Sequence, residues 1–269
     1  MTEPTAKIIL DSINMRGDRL TTVEVTLHRF VLAELNTHRS HSRNSASSRA
    51  IPVAKQLARV NDDPAIPLVW STEQSGMQGG EPLRPSDAIR AEMIWLEARD
   101  AAIDHAEALV AMGVHKSITN RLLEPFMWHT VIASATDAGW ANFFNQRCSP
   151  LAQPEIRVAA EAIEEAYNAS EPKRLAYGAW HLPFIQDEEY IKYPVETLRK
   201  ISTARCARVS YLTHDGTKSL EGDLNLYERL VTADPAHASP LEHVATPSDR
   251  PDPPGNFVGW AQLRHRVIS

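Results

Sequence analysis

Two periodicities that one kind of secondary structure cannot satisfy lie within the first 113 residues. Val23, Val25 and Leu27 alternate with Glu24 and Thr26, the period of a half-buried strand. Ile89, Met93, Leu96, Ile103 and Val110 instead recur at helical spacing, opened by Pro85-Ser86-Asp87 and stopped at Gly113. A sheet and a helical layer are therefore both required, and the expected class is α+β, a mixed sheet with a large helical part. Lys7 to Leu35 reads as strand, turn and strand, with Phe30 to Leu35 leaning to a short helix.

The rest of the chain reads more unevenly. Asn36 to Arg49 is a polar loop, followed by a Pro- and Gly-punctuated stretch to Gly80 with one short helix near Val53 to Val60. Leu122 to Ala135 is apolar and reads as part of a mostly helical middle, which continues through Ile156, Ala159, Ile163 and Tyr167. Glu171 to Tyr193, around YGAWHLPF, reads as a linker or surface excursion. Helices follow over Val195 to Val209 and Leu220 to Val231, with a turn at Asp215-Gly216 between them.

Composition excludes several classes. With 269 residues, 43% hydrophobic and 23% charged, the chain can bury a sizeable core and is neither disordered nor collagen-like. Lys plus Arg total 28 against 34 Asp plus Glu, so no global positive field exists to hold a nucleic acid, and a phosphate site must be local. Apolar runs fall short of a membrane span and the start lacks a secretory pattern, so the expected location is the cytoplasm. Cys148 and Cys206 are too few for a disulfide framework or a four-thiolate zinc site.

Three polar constellations stand out. Thr37 to Arg49 packs Arg39, Arg43 and Arg49 among hydroxyls, a cradle for an anion or else a solvated basic loop. His38 and His41 have no acidic or cysteine ligand beside them, and no metal is expected. Asn142 to Arg147 with Ala152 to Arg157 sets aromatics beside an arginine, suited to a flat heterocycle or to a core helix with an Arg147–Glu155 ion pair. His237 to His243 places two histidines and a glutamate around a Ser-Pro turn, for proton transfer, a metal or a capped turn. No G-x-S-x-G elbow, Walker loop or G-x-G-x-x-G is present.

In combination these segments resemble the flavin-dependent thymidylate synthase family. The family's RHR-x-x-S-x-N-E-x-S-x-R signature is matched by His38, Arg39, Ser42, Asn44, Ser47 and Arg49, and its LR-x(4)-AQ-x-EIR segment by Gln146-Arg147, Ala152-Gln153 and Glu155-Ile156-Arg157. Asn120 to Pro125 is similar to the family's arginine that precedes a Leu-Pro pair, while Ala207 to Tyr211 and His237 to His243 match its AARVSY and H-x-[ST]-P-x-EH elements. These last two come first in the usual family and late here, so the chain looks circularly permuted, a single domain over 1–269 with a linker at 171–194 and the permuted segment at 195–269. Thr37, Ser45 and Glu34 replace the family's arginine, glutamate and glutamine. Gln262 to Ser269 repeats the start of the signature and is read as an auxiliary contact.

The resemblance implies FAD as cofactor, with methylene-tetrahydrofolate and NADPH as co-substrates, and C5 methylation of a deoxypyrimidine monophosphate, dUMP foremost. It implies Arg147 and His237 as catalytic residues. Glu34, Ser47, Arg49, Arg121 and Arg147 would bind substrate, and His38, Arg39, Asn142, Ser210, Ser239 and Glu242 would bind the flavin. It further implies a homotetramer with active sites shared between subunits. A dCMP methylase or hydroxymethylase, and a non-catalytic nucleotide-binding or assembly protein, are the alternatives.

Overall fold

The structure is a computed structural model that describes residues 3–211, 219–249 and 256–268. The turn expected at Asp215-Gly216 lies outside the described residues. Strands β1 (Thr5–Ile13) and β2 (Arg19–His28) form the expected hairpin, with Gly17 at φ +97° in its turn. A 3-10 turn, Arg29–Val31, runs into helix α1 (Leu32–Asn36), as Phe30 to Leu35 suggested. Strand β3 (Ser42–Ser45) follows, then helices α2 (Val53–Asp62), α3 (Pro85–Ala111) and α4 (Lys116–Thr119), and a 3-10 segment, Asn120–Phe126. Strand β4 (Trp128–Thr136), helices α5 (Asp137–Arg147) and α6 (Pro154–Ala169) and strand β5 (Lys173–Arg174) complete the larger sheet, whose order is β3-β4-β2-β1-β5. Helices α7 (Asp187–Lys192), α8 (Val195–Arg208) and α9 (Leu220–Thr232), strands β6 (Ala245–Pro247) and β7 (Trp260–Gln262) and helix α10 (Arg264–Val267) follow.

The sheet is mixed, because β5 pairs parallel to β1 while the other neighbours are antiparallel, and the α+β expectation holds. The middle is less helical than its apolar content suggested. β4 is buried along eight of its nine positions, and a central strand covered on both faces shows no alternation to read. The polar loop also contains an edge strand, β3, which Ser42 to Ser45 form by pairing with Ser134 to Val131. Helix α3 forms where its period placed it, yet Ile89, Met93 and Val110 stand exposed, and its inner face is carried by Trp95, Ala102, Ile103 and Ala106.

One face of the sheet is apolar. Val23, Val25, Leu27, Val131, Ala133 and Ala135 pack with Trp140 and Phe143 of α5 and Ile156, Ala159, Ala160 and Ile163 of α6. Burying these side chains supplies the dominant favourable term for this layer.

The other face carries an unbroken polar chain. Ser12 Oγ lies 2.8 Å from His181 Nδ1, whose Nε2 lies 2.8 Å from Thr22 Oγ1. Thr22 Oγ1 lies 2.6 Å from Ser134 Oγ, which lies 2.8 Å from His243 Nδ1. All five residues are buried. YGAWHLPF is a surface excursion only at its start: Tyr177 and Gly178 are exposed, whereas Trp180, His181 and Leu182 are buried, and His181 exchanges backbone hydrogen bonds with Ala245. Burial pushes His181 and His243 down to about 3, so both rings are neutral near pH 7. Leu198, Ala204 and Ala207 of α8, with Leu226 and Leu230 of α9, build a second apolar cluster against Leu241 and Val244. Beside it, buried Asp223 accepts from Arg205 Nε at 3.0 Å and Arg208 Nε at 2.9 Å, which fixes the end of α8. Among the described residues no helix is long and apolar enough to cross a membrane.

Candidate functional site

The signature segment leaves the sheet where β3 ends. Ala46 N–H still donates to Thr130 O at 3.0 Å, but Ser47 N–H turns to Ser210 O at 3.0 Å, and Ala50 and Ile51 close a turn on Ser47 O at 3.0 and 3.1 Å. That contact joins the signature to the end of α8. The 3-10 segment 120–126 clamps the turn from the other side, since Asn120 Nδ2 donates to Ser48 O at 2.7 Å and Ile51 O at 3.0 Å. Glu124 Oε1 accepts from Ser48 Oγ at 2.6 Å, Arg121 Nη1 at 2.7 Å and Arg29 Nη2 at 3.3 Å.

A cleft opens over this turn in two lobes. The first, about 350 Å³, is lined by Arg29, Arg43, Arg121, His129 and the hydroxyls of Ser45, Ser47, Ser48, Ser210 and Ser239. The second, about 470 Å³, shares Asn44, Ser47, Ser210 and Ser239 with the first and adds Arg49, Lys116 and His237. The structure thus brings together Ser47, Arg49, Arg121, Ser210, Ser239 and His237 from four separate stretches of chain. Asn44 Oδ1 and both ring nitrogens of His129 are buried without a partner among the described residues. Burial, with Arg29 and Arg59 nearby, pushes His129 down to about 3, leaving it neutral.

The other expected residues form a second cluster. Arg147 Nε donates to His38 Nε2 at 2.9 Å, and its Nη2 donates to Thr37 Oγ1 at 2.9 Å and Glu34 O at 3.2 Å. Its Nη1 has no partner among the described residues, which leaves two donors for a ligand. Burial, together with Arg147 and Arg43, pushes His38 down to about 4, consistent with a neutral ring that accepts from Arg147. Glu34 Oε2 is buried without a partner among the described residues. Arg43 spans the two clusters: it lines the first lobe and donates from Nη1 to His38 O at 2.6 Å.

Arg39, Asn142 and Glu242 do not line either lobe. Arg39 and Asn142 are exposed, and Asn142 accepts from Gln146. Glu242 pairs with Arg264 of the C-terminal repeat, while Gln262 Nε2 reaches Ser42 Oγ at 3.0 Å and Glu242 O at 2.9 Å, so that repeat braces the EH turn against β3. No Arg147–Glu155 pair forms: buried Glu155 accepts from Leu68 N–H at 2.9 Å and from Gln153 at 3.0 Å.

Arg29, Asn120, Glu124 and His129 escaped the sequence reading. Glu124 was visible as the residue standing in the Leu position of a Leu-Pro pair, whereas Arg29 and His129 belong to segments with no motif.

Residues 20–173, more than half of the chain, match the sequence model of the thymidylate synthase complementing protein family. The chain belongs to this family, that of the flavin-dependent thymidylate synthases, and is a thymidylate synthase-like methyltransferase. Among solved structures, the UMP/dUMP methylase PolB from Streptomyces cacaoi bound with 5-Br UMP is 17% identical at a TM-score of 0.50, covering 62% of this chain and 89% of that one. The same methylase bound with 5-Br dUMP gives 16% and 0.49, covering 62% and 90%. At this identity the first likeness shows the fold. No curated protein matches the sequence.

Proposed function

We propose that this member of the family transfers one carbon from methylene-tetrahydrofolate to C5 of a deoxypyrimidine monophosphate, dUMP, with FAD as cofactor and NADPH as reductant. The observation that carries the reading is the cleft itself. Signature residues Ser47 and Arg49 meet Arg121, Ser210, Ser239 and His237 there, although these lie up to about 190 residues apart. The Ser47–Ser210 contact also supports a permuted element order, since the AARVSY and signature elements pack together wherever the chain is cut.

The residues suit a flavin. Asn44 Oδ1, unpartnered among the described residues, and the hydroxyls of Ser210 and Ser239 offer acceptors and donors to a polar chain, and Arg39 and Asn142 are exposed, where they would meet a large cofactor at the rim. His38 and Glu242 would act through their present partners, Arg147 and Arg264. When bound, FAD supplies the hydride. On the substrate side, Ser47, Arg49 and Arg121 would hold the phosphate through charge-assisted hydrogen bonds. Arg147 would present its open Nη1 to a pyrimidine carbonyl and favour the electron-rich ring, with Glu34 beside it accepting from a base or sugar donor. His237, exposed at the second lobe, would line the reacting face.

Arg147 lines neither lobe, which favours a homotetramer in which the arginine of one subunit completes the cleft of another. The visible spectrum after adding FAD and removing unbound dye tests the cofactor: stoichiometric retained flavin is expected, and none, even with nucleotide present, removes FAD from this reading. The dCMP alternative is favoured by one observation, the unpartnered Glu34 Oε2, which would accept from a cytosine amino group.

A further inference from the structure

Glu124 stands where the resemblance places the Leu of a Leu-Pro pair, and its carboxylate is bonded to Arg29, Ser48 and Arg121, three residues that line the first lobe. Three guanidiniums line that lobe, those of Arg29, Arg43 and Arg121. Arginine stays protonated in proteins, and His129 is neutral, so the lining alone carries three positive charges. Glu124 subtracts one. Its Oε1 is held in place by Arg121, Arg29 and the signature hydroxyl of Ser48. Glu124 thus sets a negative charge beside Arg121 and Ser48, among the groups that would hold the phosphate, and every further charge on the bound anion is repelled by it.

We infer that Glu124 is a specificity-determining residue that restricts the anion lobe to a single phosphate group. This rests on the reading that the cleft takes a nucleotide phosphate. Without Glu124 the two paired guanidiniums would each offer another donor, and the extra positive charge would favour a more highly charged anion more strongly than a lesser one. With it, a second phosphate group meets a fixed negative charge beside Ser48. A carboxylate that merely held the turn would, when removed, weaken every anion alike, so the ratio between two anions separates the two roles.

The test is titration calorimetry of the full chain with inorganic phosphate and with pyrophosphate at fixed salt. Wild type should prefer phosphate. Glu124→Gln keeps the size and an acceptor oxygen but removes the charge, and should shift the affinity ratio toward pyrophosphate about tenfold, a modest charge interaction in free energy. Arg121→Ala, at an exposed position, should shift the ratio the other way and decides the matter should Glu124→Gln not fold. Ratios unchanged in the folded variants, both anions weakened equally, or no binding of either anion to wild type would overturn the inference. The nucleotide reading is judged separately by C5 chemistry on labelled nucleotide, so a lobe that binds phosphate without Glu124 control leaves that reading standing.

Discussion

Arg147 donates to the hydroxyl of Thr37 at 2.9 Å, and that hydroxyl in turn donates to Glu34 O at 2.7 Å. The family's arginine at position 37 has donors only and could not accept this bond. The departure from the signature and the posture of the candidate catalytic arginine are thus one feature. Thr37→Arg should bring two guanidiniums together, displace Arg147 and lower turnover by about tenfold or more, the worth of a charge-assisted hydrogen bond. Thr37→Ser should keep most activity. Steady-state kinetics check both, and full turnover in Thr37→Arg would sever the link.

Acid should weaken the fold. His181 and His243 are held at about 3, below the ~6.5 of an unfolded histidine. Between these values the unfolded chain binds protons that the folded chain does not, so the stability is complete above pH 6.5 and is lost as pH falls toward 3. Each ring contributes up to about 1.4 kcal/mol per pH unit in that window. The thermal midpoint should drop from pH 7.5 to pH 4.5, and a flat midpoint would contradict the burial of neutral rings.

Thr22 is the middle of the buried polar chain. Thr22→Val leaves His181 Nε2 and Ser134 Oγ short of a partner, at a cost of about 1–3 kcal/mol. Thr26→Val removes a partly buried hydroxyl pair with Thr130 at 3.0 Å and should cost less. Urea unfolding of the two variants ranks them, and equal losses would show that the chain adds nothing beyond an ordinary hydroxyl pair.

Neither cysteine is set up as a nucleophile. Burial and Glu164 push the Cys148 thiol up to about 12, and burial raises buried Cys206 further. The double variant Cys148→Ser, Cys206→Ala should retain activity, measured after confirming that it folds. Loss of turnover in a folded double variant would require a thiolate step.

If the sites are shared, Arg49→Ala and Arg147→Ala subunits, each inactive alone, should regain part of the wild-type rate when mixed. Recovery is read from activity of oligomers verified to contain both. No recovery in such oligomers would place both arginines in one subunit's site.

The hairpin, α6 and α9 were legible because each shows one face with a clear period, and α3 because Pro85-Ser86-Asp87 opens it and Gly113 stops it, although the apolar residues that gave its period are not those it buries. β4 was not, because burial on both faces erases alternation, and β3 was hidden because an edge strand of Ser, Arg, Asn and Ser looks like any polar loop. Of the residues that meet at the cleft, Ser47, Arg49 and Arg121 were singled out by the resemblance. Arg29 and His129 were not, since their part depends on which residues meet across the sheet and the 3-10 segment, and spacing along the chain carries no such information.

The most direct measurement is tritium release from C5-labelled dUMP and dCMP by the purified protein with FAD, NADPH and methylene-tetrahydrofolate. Release from dUMP, dependent on the folate and abolished by Arg147→Ala, is predicted. Release from dCMP alone would replace the substrate, and release from neither, in protein that retains flavin, would contradict C5 transfer in this cleft.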